Sequence, residues 1–253
     1  MKKIYRNLRD RMLDPAICVV SLDVFDTLLL RQTESELYRF AQVSRRQCEW
    51  VSSQGQSDLT PRDFLRARLH ACEIAYRLEN PSDVRREPHF KDILRLKSER
   101  LRLDPATVPH LLNIELDYEK TVLRPNRKLV GLAKEAKNIG KTIIFASDMY
   151  LPSTDIWALI VALAPDCPVD RGYSSADVGL GKSSGKLFEH ICADLKIAPT
   201  AMLHIGDNRV SDYDRPRQMG INAVHLPRSR LWQMSRHARR KLYGQWLKWH
   251  GVL

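Results

Sequence analysis

Apolar residues follow two different periods along this chain. The run from Ile17 to Leu22 carries no charge and includes the β-branched Ile17, Val19 and Val20, which suits a strand covered on both faces. Thr142–Ala146, Val169–Tyr173, Ala201–Ile205 and Ile221–His225 read as further strands. Helical patterns separate them: Lys128–Asn138, closed by Gly140 in the C′ role, then Ser153–Ala164, Gly185–Leu195 and a helix leading to Gly220. Strands alternating with helices predict an α/β fold, a doubly wound parallel sheet. From Arg31 to Thr121 the pattern is helical only. Glu36–Val51 carries Leu37, Phe40, Ala41, Val43 and Cys48 as an apolar stripe. Thr60-Pro61 supplies an N-cap followed by proline at the first helical position, opening a helix to Leu78. Asn80-Pro81-Ser82-Asp83 breaks it, and helices follow over Glu87–Leu101 and Val108–Thr121. The expected organisation is an α/β core from residues 1–30 and 122–227, an all-helical insertion at 31–121, and a separate C-terminal helix within 228–253. Residues 2–13 form a short basic helix, with Ile4, Leu8 and Met12 suited to packing at the sheet edge.

Three of the strands run into groups with chemistry: Asp23, Ser147 and Asp207. Open α/β sheets place ligands at the carboxyl ends of their strands. Each residue alone has an ordinary reading. Asp and Thr are turn formers, and Ser147 and Lys182 suit an N-cap and a solvated helix start. Convergence of three such endings on one sheet edge is what favours a site. A carboxylate at Asp23 suits either nucleophilic attack or cation binding.

Four motifs stand in order at these ends: Asp23-Val24-Phe25-Asp26-Thr27, Phe145-Ala146-Ser147-Asp148-Met149-Tyr150, Gly181-Lys182-Ser183-Ser184-Gly185-Lys186-Leu187-Phe188 and Gly206-Asp207-Asn208-Arg209-Val210-Ser211-Asp212. Together they resemble the haloacid dehalogenase (HAD) superfamily of phosphatases and related hydrolases, in the subclass whose helical cap is inserted after strand one. The resemblance covers Ile17 to Pro227 and implies a Rossmann-like core. It implies Asp23 as a nucleophile that forms an aspartyl-phosphate. Mg²⁺ would be held by Asp23, the main-chain carbonyl of Phe25 and Asp207. Asp212 would be a further metal-site carboxylate or an orienter of the lysine. Ser147 and Lys182 would contact the transferred phosphoryl group, with Thr27, Arg31 and Asp148 among the substrate contacts. Arg31, next to the hinge into the cap, is equally well read as a surface arginine.

One position departs from the phosphatase pattern. The second Asp, which protonates the leaving oxygen, ordinarily stands two residues after the nucleophile. Here that place holds Phe25, and the carboxylate comes one step later, at Asp26. On an extended chain this shift turns the side chain to the opposite face, so Asp26 reaches the site only through a local bulge or turn. Losing a general acid typically costs about 10²–10⁴-fold in rate. Three activities follow: a Mg²⁺-dependent phosphohydrolase of a phosphorylated small metabolite, with Asp26 as acid/base or a substrate with a good leaving group; a HAD-fold binding or regulatory module that has lost catalysis; and a dehalogenase-like hydrolase. The form of the first and fourth motifs is similar to HAD proteins of bacterial surface-polysaccharide metabolism, which implies a sugar phosphate.

Composition adds an anionic partner: net charge is +11 and the pI about 9.6. No acidic residue follows Asp214, and Arg228–Trp249 places Leu231, Met234, Ala238, Leu242, Trp246 and Trp249 at near-helical spacing among arginines and lysines. Such a helix suits an anionic membrane surface, its own domain or a partner protein; no recognisable nucleic-acid module is present. Cys18, Cys48, Cys72, Cys167 and Cys192 form no CxxC pair and read as reduced thiols rather than a disulfide or zinc framework. No apolar run reaches the ~20 residues that span a bilayer, and no apolar stretch follows the basic start. The expected location is the cytoplasm, with peripheral attachment to the inner membrane face left open by the C-terminal helix.

Overall fold

The computed structural model describes residues 2–55, 58–79, 88–249 and 251–252. The break read at 80–83 and the helix start read at Glu87 lie outside them. The chain divides into two compact units, one containing Met1–Arg31 and Leu123–Arg228, the other Gln32–Pro81, Pro88–Val122 and Ser229–Leu253. It begins with helix α1 (Lys2–Met12), strand β1 (Val19–Leu22) and the short β2 (Leu29–Arg31). It then passes through α2 (Glu36–Ser53), α3 (Pro61–Glu79), α4 (Phe90–Arg100) and α5 (Val108–Val122) of the second unit. The first unit resumes with β3 (Leu123–Pro125), α6 (Arg127–Asn138), β4 (Thr142–Ser147), α7 (Ser153–Leu163), β5 (Arg171–Ser174) and the single turn α8 (Ser175–Val178). It ends with α9 (Lys186–Leu195), β6 (Met202–Gly206), α10 (Arg215–Gln218) and β7 (Asn222–His225), before α11 (Arg230–Trp249) in the second unit.

The main sheet has the order β5-β4-β1-β6-β7 and every pairing in it is parallel. This is the doubly wound α/β arrangement the alternation predicts. The chain leaves β1 toward β4 and β5 on one side, then crosses to β6 and β7 on the other. Strand β1 therefore lies at the point where strand order reverses, and its carboxyl end opens on the crevice where such sheets bind ligands. All of β1 is buried, as its uncharged run requires. The core beneath includes Val20, Leu22, Ile143, Phe145, Leu203 and Ile205. Gly172 on β5 accommodates the Phe145 ring; a Cβ there would lie 2.0 Å from it.

Two features have no periodic signature. Strands β2 and β3 pair antiparallel from Leu29↔Pro125 to Arg31↔Leu123, and three residues are too few to show alternation. Val210–Asp214 winds as a π-helical turn, a rare form that is frequent at functional sites.

The second unit is helical, and its interior is charged. Arg68 donates two bonds to Glu115, at 3.0 and 2.9 Å, with its guanidinium 4.6 Å from the Phe40 ring and 4.9 Å from the Phe90 ring. Arg39 donates to Glu119 at 2.6 Å. Lys97, also buried, donates to the Gln47 side chain. Helix α11 does not stand apart. Leu247 is buried with Phe40 and Leu65, and Tyr243 packs beside them, so one face of α11 belongs to this unit. No described helix is long and apolar enough to cross a membrane.

Candidate active site

Strands β1, β4 and β6 lie side by side, so the residues that follow them meet at one edge. Asp23 extends β1, its N–H still donating to the Ile205 carbonyl of β6 at 2.8 Å. Strand β6 runs out through Gly206 to Asp207, and the π-helical turn brings the chain back so that Asp212 packs on Gly206. A Cβ at Gly206 would sit 2.3 Å from the Asp212 carboxylate; glycine is what lets that side chain close. Asn208 builds the turn, its side-chain oxygen accepting from the N–H groups of Val210 and Ser211 at 2.9 and 3.1 Å. The result is three carboxylates, Asp23, Asp207 and Asp212, with one oxygen of each within 4.8 Å of the others.

Lys182 reaches into this group from the segment before α9. Its Nζ donates to Asp23 Oδ1 at 2.7 Å and to Asp212 Oδ1 at 2.6 Å. The segment is fixed by Asp148, whose carboxylate accepts from the Lys182 N–H at 2.7 Å and the Ser183 N–H at 3.4 Å. Asp148 was expected among substrate contacts; here it holds the lysine loop. Burial works against the Lys182 charge, but Asp212 and Asp23 outweigh it and raise its pKa above the ordinary range. Burial also works against the Asp212 carboxylate, yet Lys182 and His204 hold its pKa well below the usual value. For Asp23 burial wins: despite Lys182, desolvation together with Asp212 and Asp207 pushes its carboxyl up to about 7. Among the described residues three carboxylates thus meet at a lysine that bonds two of them.

Two members of the site went unread in the sequence. His204 on β6 is fully buried, with Nε2 3.2 Å from Asp212 Oδ1 and Nδ1 2.8 Å from Ser21 Oγ on β1. Burial lowers its pKa, and an ionised Asp212 can only accept, so the neutral ring carries its proton on Nε2 and accepts from Ser21 at Nδ1. Ser21 and His204 are register partners. Ser21 also shares its face of β1 with Asp23, two residues on. A polar residue at that parity inside an apolar run was the available signal.

The remaining expected residues divide. Ser147 ends β4, buried. Asp26 does not join the carboxylate group. The backbone does turn there, with φ at 66°, a conformation Asp tolerates better than most residues. Its Oδ1, however, accepts from Arg228 Nη1 at 3.1 Å and from the Arg31 N–H at 3.1 Å. Arg31 is buried rather than a surface arginine and lies over the Phe25 ring, 4.2 Å from its centroid. Thr27 Oγ1 is buried without a hydrogen-bond partner among the described residues.

Comparison with known proteins agrees with this architecture. The fold matches a 2-haloacid dehalogenase from Pseudomonas syringae pv. tomato DC3000 with a TM-score of 0.56 at 16% identity, over 83% of this chain and 86% of that one. It matches the HAD family enzyme bt-2542 from Bacteroides thetaiotaomicron with a TM-score of 0.54 at 11% identity, over 86% and 97%. The same enzyme in complex with magnesium and inorganic phosphate matches with a TM-score of 0.50 at 12% identity, over 83% and 93%. No curated protein matches the sequence. The family model for haloacid dehalogenase-like hydrolases, by contrast, matches residues 17–220, a span that takes in every strand of the main sheet up to β6 and all four motifs; the chain belongs to that hydrolase family.

Proposed function

We propose that this chain is a Mg²⁺-dependent phosphohydrolase that acts on a phosphorylated small metabolite with Asp23 as the nucleophile. The observation that carries this reading is the approach of Asp23, Asp207 and Asp212 to within 4.8 Å around a single lysine. Three carboxylates, those of Asp23 and Asp212 buried and that of Asp207 half-buried, concentrate negative charge beside that lysine. Oxygen donors in that number suit a hard divalent cation, which normally keeps several waters. Asp23, Asp207 and the Phe25 main-chain carbonyl would hold Mg²⁺. Asp212, bonded to both Lys182 and His204, is better placed as the residue that orients the lysine. Bound there, Mg²⁺ would reduce the repulsion between an anionic phosphoryl group and the attacking carboxylate. A fold relative that holds magnesium and inorganic phosphate is consistent with this assignment.

The chain's own groups account for the rest. An Asp23 oxygen attacks phosphorus, the P–O bond to the leaving group breaks, and the electron pair departs with the leaving oxygen. Water then attacks the aspartyl-phosphate, releasing inorganic phosphate and restoring the carboxylate. Lys182 favours the ionised form of Asp23 against the opposing effect of burial and fixes its direction, and the Ser147 hydroxyl donates to a phosphoryl oxygen. Among the described residues Asp26, the carboxylate nearest the phosphatase position in sequence, is occupied by Arg228 and the Arg31 N–H and is not aligned to protonate the leaving group. The reading therefore favours a leaving oxygen that departs readily as an anion, as in an anomeric sugar phosphate, over a simple alkyl phosphate.

The occupied Asp26 also supports a second reading, a HAD-fold module that binds a phosphorylated ligand without turning it over. A screen of phosphorylated metabolites with and without Mg²⁺, using Asp23→Asn as the blank, decides between them. Phosphate release that needs Mg²⁺ and vanishes in the blank is the expected result. Ligand-dependent thermal stabilisation without any release would establish the binding module instead.

A further inference from the structure

Helix α11 presents two faces of different kinds. Tyr243 and Leu247 turn toward α2 and α3 of its own unit. The opposite side carries Leu231, Met234, Leu242 and Trp249, exposed by 78, 68, 67 and 86%. Trp246, 48% exposed, borders them, stacked on Tyr243 at 5.6 Å. At 3.6 residues per turn these positions, with the exposed Ala238, form one continuous stripe along the helix. Arg230, Lys241 and Lys248 lie along one border of the stripe and Arg239 along the other, all exposed. The packing that anchors α11 has thus left its apolar side uncovered. A contiguous exposed stripe of large apolar side chains marks an interaction surface.

We propose that this face of α11 seats the protein on an anionic lipid surface. Charge complementarity selects the occupant. Arg230, Lys241 and Lys248 line one border of the stripe, Arg239 stands on the other with Glu34 3.9 Å away, and no acidic residue follows Asp214. A second copy of the chain would bring these cations against one another. A nucleic-acid backbone would leave the leucines and tryptophans unused. A bilayer interface uses both classes at once: leucine and tryptophan enter the headgroup boundary while the bordering lysines and arginines reach lipid phosphates. Docking by Leu247 pre-orders the helix, so membrane binding need not fold it. The proposal does not depend on the phosphohydrolase reading.

Co-sedimentation of the full chain with vesicles tests it. Binding is expected to vesicles of equal parts phosphatidylcholine and phosphatidylglycerol, weak or absent with phosphatidylcholine alone, and reduced by added salt. Lys241→Gln with Lys248→Gln should lower the partition coefficient roughly 20-fold, about fivefold per cation near the surface. Leu231→Ser, Leu242→Ser and Trp249→Ser combined should abolish pelleting. All of these positions are exposed, so an unchanged melting temperature verifies that the variants are folded. Equal pelleting of the triple variant and the parent, equal binding to neutral and anionic vesicles, or no pelleting of the parent would each overturn the proposal. A concentration-dependent dimer that fails to pellet would assign the face to a second copy instead.

Discussion

Both units bury charge, and they do so in opposite ways. In the helical unit the pairs are closed. Arg68 meets Glu115 through two bonds between two aromatic rings, and Arg39 meets Glu119 at 2.6 Å. At the end of β1 the set is open: among the described residues Asp23, Asp207 and Asp212 gather at one place, and Lys182 bonds two of them. A closed pair has no unmet charge with which to attract a ligand, and its value is architectural. An open set is costly until something arrives, and that cost marks a functional site. Burial by itself therefore does not distinguish function from structure; the balance of sign within the cluster does.

The largest expected effect falls on the open set. Asp23→Asn should lower turnover by at least ~10³-fold, because the oxygen that bonds to phosphorus is replaced by a poorly nucleophilic amide. It should cost little stability, since one of three crowded carboxylates is neutralised. Turnover and the melting temperature measured on one preparation test both halves. A large loss of stability would mean that Asp23 is structural, as the pairs of the helical unit are.

The closed set should behave in reverse. Arg68→Met removes both bonds to the buried Glu115 carboxylate and should cost about 3–5 kcal/mol, whereas Arg68→Met with Glu115→Leu should recover most of it. Denaturant unfolding of single and double variants measures this. If the double variant stays as unstable as the single, the pair is not the closed unit described.

Lys97 gives the helical unit a pH signature. Burial first, and then the Arg68 charge, pull its ammonium down to about 7 against the opposing pull of Glu115. Below about pH 7 the group is charged in both folded and unfolded chains, so the cost of burying the charge is fully present. Between that pH and its ordinary value of 10.5, only the unfolded chain holds the proton, and stability rises with pH. Lys97→Met should raise stability most at the low end of that window and flatten the slope. The difference between parent and variant, followed by chemical unfolding from about pH 6 to pH 9, isolates Lys97 from other titrating groups.

Much of this architecture was legible in the residues. Uncharged, β-branched runs such as Ile17–Leu22 can hardly be anything but covered strands, and Asp23, Ser147 and Asp207 follow such runs directly. Gly206 and Asp212 fit the same logic once the turn between them is known. What stayed hidden has physical reasons. Ser21 and His204 interrupt apolar strands, and a single polar residue there looks tolerated until its register partner is known to be polar too. Strands β2 and β3 are too short for a period. The exposed stripe of α11 was legible as the spacing of Leu231, Met234, Ala238, Leu242, Trp246 and Trp249, whereas the anchoring role of Tyr243 and Leu247, which lie off that stripe, was not. The direction of Asp26 depends on one backbone angle, 66° at φ, which Asp permits but does not dictate.

That residue sharpens the comparison most finely, because it belongs to the first motif by position and to the closed pairs by contact. If Asp26 served as the general acid, Asp26→Asn would lower turnover by about 10²–10⁴-fold. Its Oδ1 instead accepts from Arg228 and from the Arg31 N–H, and an asparagine carbonyl can keep both bonds while the left-handed backbone suits Asn equally well. The expected loss of turnover is therefore under about tenfold, with a stability cost near 1 kcal/mol for the weakened charge-assisted bond to Arg228. Arg228→Ala should reproduce the stability cost from the other side. If Asp26→Asn instead removes activity while Arg228→Ala does not, Asp26 leaves its arginine during turnover and belongs to the open set.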